Sequence, residues 1–118
     1  MMFAKNEGAK FYLYANPIDF RGSINRLLQH VASLLSKEPH SGDVYLFYNR
    51  KKDKLKALFW DKNGFVLYYK RMERRKFIIS KLLSGEVTLS PEECELLLTG
   101  FDFTVKRDGL GTDFSNYF

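Results

Sequence analysis

The stretch 54-KLKALFWDKNGFVLYYKRMERRK-76 alternates apolar and polar residues as far as Trp60-Asp61, passes Asn63-Gly64, alternates again and ends in a cluster of Lys and Arg. Alternation with a period of two marks a strand with two unlike faces. An Asn-Gly pair between two such runs favours a tight hairpin, because both positions tolerate positive φ. The pattern therefore predicts two antiparallel strands, 54-KLKALFW-60 and 64-GFVLYYK-70, joined by 61-DKN-63. Leu55, Ala57 and Phe59 fall on one face of the first strand, and Lys54, Lys56, Leu58 and Trp60 on the other. A third run just upstream, 43-DVYLFY-48, connects through 49-NRKKD-53 and completes an antiparallel meander.

Outward from the meander, 10-KFYLYA-15 reads as a first strand, and 16-NPID-19 as the start of a helix capped by Asn16 or Asp19 with Pro17 in its first turn. Phe20, Ile24, Leu27, Leu28, Val31, Leu34 and Leu35 share one face of a 3.6-residue period, and the pattern stops at 38-EPHSG-42. Residues 72–85 suit either a strand and turn or a short helix. At 90-SPEECELLLTG-100, Ser90 caps, Pro91 begins, Glu93 completes a capping box and Gly100 ends a second helix. The expected fold is α+β: one domain over 1–118 with its core at about 10–103. In it, a long N-terminal helix packs on the meander sheet, a short C-terminal helix closes the core, and 104–118 form a mobile tail.

With 118 residues, the chain suits a single core, and 45% hydrophobic residues mark it as globular rather than disordered. Its charge is unevenly placed. Asn49 to Lys76 holds eleven Lys or Arg against three acids, whereas the segment from Glu86 onward holds seven acids against Lys106 and Arg107. One cysteine, Cys94, excludes an internal disulfide, and with only His30 and His40 beside it no zinc set is expected. The N-terminus lacks the apolar run of a signal peptide, and no stretch has the length of a membrane span, so a cytoplasmic protein with no membrane partner is expected.

Little in the chain points to catalysis. Asp19, Asp61 and Glu73 could be imagined as a metal-binding carboxylate trio, but their positions fit a helix start, a turn and an arginine cluster better. Cys94, on a helix among glutamates, fits a packing role better than that of a nucleophile. No catalytic residue, cofactor or metal is expected. The basic segment is different. Phosphates are held by cations spaced along a surface, and neighbouring rings can stack on bases. Arg50, Lys51, Lys52, Lys54, Lys56, Lys70, Arg71, Arg74, Arg75 and Lys76 are thus the candidate nucleic-acid contacts.

Several local patterns also resemble a family. These are Pro17, Asp19 and Arg21 before the first helix; Lys56, Trp60, Asp61 and Gly64; Tyr68, Lys70 and Arg71; and Leu97, Leu98, Gly100 and Asp102. Over about residues 10–103 the chain resembles the accessory protein encoded by the second open reading frame of insertion-sequence-66 elements. Such proteins are called TnpB-like, a name shared with an unrelated RNA-guided nuclease. The chain departs from the family pattern at Phe59, at 74-RRK-76 and at 78-IIS-80. The resemblance implies a non-catalytic role in bacterial DNA transposition beside a separate transposase. Two functions follow as expectations: a factor that binds DNA through its basic surface, or a module that binds the transposase or another subunit without touching DNA.

Overall fold

Phe11–Tyr14 form β1, and the chain then crosses one face of the sheet in α1, Ile24–Leu34, before returning as β2, Val44–Tyr48. In the computed structural model, which describes residues 8–104, β1 and β2 run parallel, with Phe11 opposite Val44 and Leu13 opposite Leu46. Parallel neighbours need a long crossover between them, and the segment carrying α1 supplies it. β3 (Lys54–Asp61) pairs antiparallel with β2, and β4 (Gly64–Arg71) pairs antiparallel with β3. β5 (Glu86–Leu89) returns along the other side of β1, antiparallel to it, so the five strands lie in the order β4-β3-β2-β1-β5. The last described helix is α2, Pro91–Leu98. The class is α+β, and the sheet expected to be mainly antiparallel is a mixed one, antiparallel at three of its four pairings and parallel between β1 and β2. The mobile tail expected over 104–118 lies, from 105 on, outside the described residues.

Each face of the sheet carries a buried apolar cluster. Leu27, Val31 and Leu35 of the α1 segment pack on Tyr12, Tyr45, Phe47 and Leu58. On the opposite face, Phe11, Leu13, Val44, Leu46, Leu55 and Ala57 meet Phe77, Ile79, Phe103 and the α2 residues Cys94, Leu96 and Leu97. Each Phe or Leu removed from water in this way contributes roughly 1.5–3 kcal/mol, so two apolar clusters back to back hold the sheet between its covers. Among the described residues, no helix is long and apolar enough to cross a membrane.

α1 begins later than the sequence predicts. Ser23, not Asn16 or Asp19, is its N-cap and accepts from the Asn25 N–H at 3.2 Å. One contact and one backbone torsion explain the shift. The Ile18 N–H donates to the Tyr48 carbonyl at 2.9 Å, and Gly22 takes φ 107°, a value no right-handed helix accommodates. Pro17 to Gly22 therefore form an extended strap beside the end of β2. Leu34, expected on the buried face, is 38% exposed. At the other helix the expected capping box is present: Ser90 Oγ accepts from the Glu93 N–H at 3.1 Å, and Glu93 Oε1 accepts from the Ser90 N–H at 2.8 Å.

The hairpin between β3 and β4 also differs from expectation. Asp61 pairs with Gly64, so the two-residue loop is Lys62-Asn63, and Lys62 takes the left-handed φ of 55°. Gly64 is the first residue of β4 rather than a turn residue. Residues 72–85 form neither helix nor strand. They run as a second strap, tied by the Met72 N–H to the Asp53 carbonyl at 2.7 Å and by the Phe77 N–H to the Lys52 carbonyl at 2.8 Å.

Candidate nucleic-acid interface

The connection between β2 and β3 is organised by Asn49. Its Oδ1 accepts from the Lys54 N–H at 2.9 Å, and its Nδ2 donates to Asp53 Oδ1 at 2.6 Å. This closes the 49–53 turn and directs Arg50 and Lys51 to the same side as Lys54. Pro17 to Arg21 approach from across the sheet, and between the two runs lies a groove of about 740 Å³. Ile18, Phe20, Asp19, Arg50, Lys51, Lys54, Lys56 and Tyr69 all line it. Five cations thus face one carboxylate, and that carboxylate is already engaged. Arg21 donates from Nε and Nη2 to Asp19 at 2.6–3.1 Å, and its backbone N–H adds a bond at 2.8 Å. The Arg21 guanidinium and N–H hold the Asp19 carboxyl down at about 2.

Lys56 forms the floor. Its ammonium donates to the Phe20 carbonyl at 3.3 Å and lies 4.7 Å from the Phe20 ring centroid and 5.7 Å from that of Tyr69. Burial, and secondarily the neighbouring charge of Lys54, push its pKa below the usual lysine range. A cation held beside like charge in a partly desolvated position is stabilised by any anion that enters the groove.

The remaining candidate cations lie elsewhere or have other duties. Lys70 Nζ donates to the Leu98 carbonyl at the end of α2, at 2.6 Å, and Lys52 Nζ donates to the Ile79 carbonyl at 3.1 Å. Both tie elements of the fold together. Arg71, opposite Lys54 in the β3–β4 register, is paired with Glu73 at 2.9 Å. The Arg75 guanidinium lies over the Phe101 ring, 5.9 Å from its centroid. Arg74 and Lys76 are exposed and do not line the groove. The ten candidates therefore do not form one surface. Four of them, Arg50, Lys51, Lys54 and Lys56, converge, and Arg21 joins them from the strap.

The family-pattern residues divide in the same way. Pro17, Asp19 and Arg21 line the groove, whereas Trp60, Asp61 and Gly64 shape the far end of the hairpin. Trp60 is half-buried and packs with two rings, His40 at 4.7 Å and Phe65 at 4.9 Å between centroids. Tyr68 lies on the opposite sheet face, against the α2 cluster. Asp19, Asp61 and Glu73 sit on the strap, at the hairpin loop and beside Arg71, and among the described residues no group of three or more His, Cys, Asp or Glu could hold a metal ion. Cys94 is fully buried, and burial followed by the charge of Glu95 pushes its thiol up to about 12, the reverse of what a nucleophile needs.

Four groove residues were not among the sequence candidates: Ile18, Asn49, Phe20 and Tyr69. Asn49 carries a usable signal, since Asn at a turn commonly bonds backbone a few residues on. Tyr69 could have been found from register, because it stands directly opposite Lys56 and so shares its face. Phe20 could not, since its place depends on the strap that replaces the expected first helical turn.

The model of the family described as IS66 Orf2 like protein matches residues 9–108. Uncharacterized protein y4jC of Sinorhizobium fredii is 36% identical over 107 residues, covering 90% of this chain and 92% of the relative. Uncharacterized protein y4hO of the same organism is 26% identical over 102 residues, covering 86% and 89%. No solved structure matches the chain. The matched span takes in both the strap of Pro17 to Arg21 and the basic hairpin that face each other across the groove, and on it the chain belongs to the IS66 Orf2-like protein family.

Proposed function

We propose that this protein is a non-catalytic accessory factor of insertion-sequence transposition, acting in the cytoplasm beside a transposase and binding the DNA of its element through the groove between the 17–21 strap and β3. One observation carries this reading: Arg50, Lys51, Lys54 and Lys56 converge on a hollow whose single carboxylate is occupied by Arg21. Cations that outnumber the acids around them, here Asp19 in the groove and Asp53 beside Lys51 and Lys54, repel one another, and a phosphate backbone supplies the missing charge. The test is a fluorescence-anisotropy titration of labelled DNA at several salt concentrations. With about four phosphate contacts, the logarithm of affinity should fall against the logarithm of salt with a slope of roughly −3 to −4. Absence of binding at low salt would remove the proposal.

A protein-docking role is the second reading, favoured by the outer strand β4, where Val66 and Leu67 are each 38% exposed. Exposed apolar residues on an edge strand suit addition of a partner's strand. Co-sedimentation with purified transposase in the absence of DNA would support that reading, and separate sedimentation would count against it.

A further inference from the structure

We infer that the groove takes an unpaired strand of nucleic acid, with a base stacked on Tyr69 and successive phosphates on Lys56 and Lys54 and then on Arg50 and Lys51. The inference rests on the proposed nucleic-acid function and names the form of ligand that this site would hold.

Three observations lead to it. The first is shape. Duplex DNA is read by an element that protrudes into one of its grooves, a helix or a two-stranded ribbon. Here the cations line a hollow of about 740 Å³, within the roughly 300–1,000 Å³ of sites that enclose small ligands. A duplex keeps its bases stacked inside and could touch only the rim, whereas a single strand is narrow enough to enter and reach Lys56.

The second is the placement of rings among the charges. Tyr69 is 50% exposed on the groove wall, and the Lys56 ammonium lies 5.7 Å from its ring centroid and 4.7 Å from that of Phe20. A half-exposed ring on a cationic wall offers a π-face to any base, and such stacking contributes about 1–3 kcal/mol per base without sequence preference. A duplex has no free base face to offer in return.

The third is spacing. Lys54 and Lys56 are alternate residues of one strand and share a face, which sets their Cα atoms about 6.6 Å apart. That is on the order of the separation of consecutive phosphates along an extended strand. Arg50 and Lys51 continue the track past the 49–53 turn.

The experiment compares a labelled oligodeoxythymidine with a mixed-sequence duplex of equal length, using the parent, Tyr69→Ala and Tyr69→Phe. The single strand should bind at least tenfold more tightly than the duplex. Tyr69→Ala should weaken single-strand binding roughly 5- to 150-fold, the equivalent of one lost stack. It should weaken duplex binding by a much smaller factor, and Tyr69→Phe should keep the parent's affinity for the single strand. As a second measurement independent of any variant, photocrosslinking with a 5-iododeoxyuridine strand should map the adduct to Tyr69 or Phe20. Equal affinity for duplex and single strand, an unaffected Tyr69→Ala, an adduct outside the groove, or competition by polyglutamate as strong as by the strand would each overturn the inference. Salt-dependent duplex binding without single-strand preference would overturn it while leaving the proposed function standing. Failure of both ligands to bind would remove both.

Discussion

The ammonium of Lys56 donates to the backbone carbonyl of Phe20 at 3.3 Å and stands 4.7 Å from the ring of the same residue. One lysine thereby joins β3 to the strap on the opposite wall of the groove. Lys56→Met keeps most of the side chain's length but removes the charged bond and the ring contact. It also relieves the burial that holds the lysine's pKa down, so the two effects oppose each other. Denaturant unfolding should therefore shift by no more than about 1 kcal/mol, while affinity for nucleic acid falls. The sign with pH follows from the same depression: the charged form is disfavoured in the fold, so the parent should gain stability as pH rises towards the ordinary lysine pKa, and Lys56→Met should lose that increment.

The clasp between Asp19 and Arg21 should be visible by titration. The Asp19 carboxyl titrates at about 2, and the largest cause is the Arg21 side chain, followed by the Arg21 N–H. A carboxylate with a lowered native pKa stabilises the fold above its unfolded pKa, near the usual 3.8, and loses that contribution as pH falls through about 2. Arg21→Ala should move the carboxyl carbon midpoint, followed by NMR, most of the way back. A midpoint unchanged in the variant would show that the guanidinium is not the cause.

Two glycines of the family pattern should respond unequally to alanine. Gly100 holds φ 89°, and an added Cβ would stand 2.7 Å from Met72 Cε. The methionine tip can move aside, so backbone strain of about 1–2 kcal/mol dominates the cost of Gly100→Ala. Gly64 opens β4 with no atom within 4 Å of an added Cβ. Gly64→Ala should stay within about 0.5 kcal/mol of the parent in denaturant unfolding.

Trp60 is a packing residue at the end of the hairpin, in a ring trio with His40 and Phe65. Trp60→Ala should cost about 1–3 kcal/mol, less than a fully buried Trp because the ring is half-exposed. Binding by the folded variant should match the parent, since Trp60 does not line the groove. A variant as stable as the parent that has lost single-strand binding would reverse this assignment.

The elements that were legible in the chain are those whose signals are local. Period-two alternation marked β3 and β4, and Ser90 with Glu93 marked α2, because these patterns need only neighbours along the chain. Long-range bonds decided the rest. The start of α1 moved to Ser23 because Ile18 is held by Tyr48, thirty residues on, which no local rule anticipates. β5 is four residues long and owes its existence to pairing with β1. The basic cluster was found as composition, but composition cannot sort cations by face. Lys54 and Lys56 reach the groove, whereas Lys70, on the alternate face, reaches the Leu98 carbonyl.

That sorting is what the most direct measurement tests. Two triple variants remove the same charge: Arg50, Lys51 and Lys54 to Ala on the groove, and Arg74, Arg75 and Lys76 to Ala beyond β4. Each is titrated against labelled nucleic acid over a range of salt, with thermal unfolding as the control for folding. The groove variant should fold, bind far more weakly and lose roughly one unit of salt slope per contact removed, while the other keeps the parent's affinity and slope. A folded groove variant that binds as the parent does, with the loss appearing instead in the Arg74, Arg75 and Lys76 variant, would contradict the account.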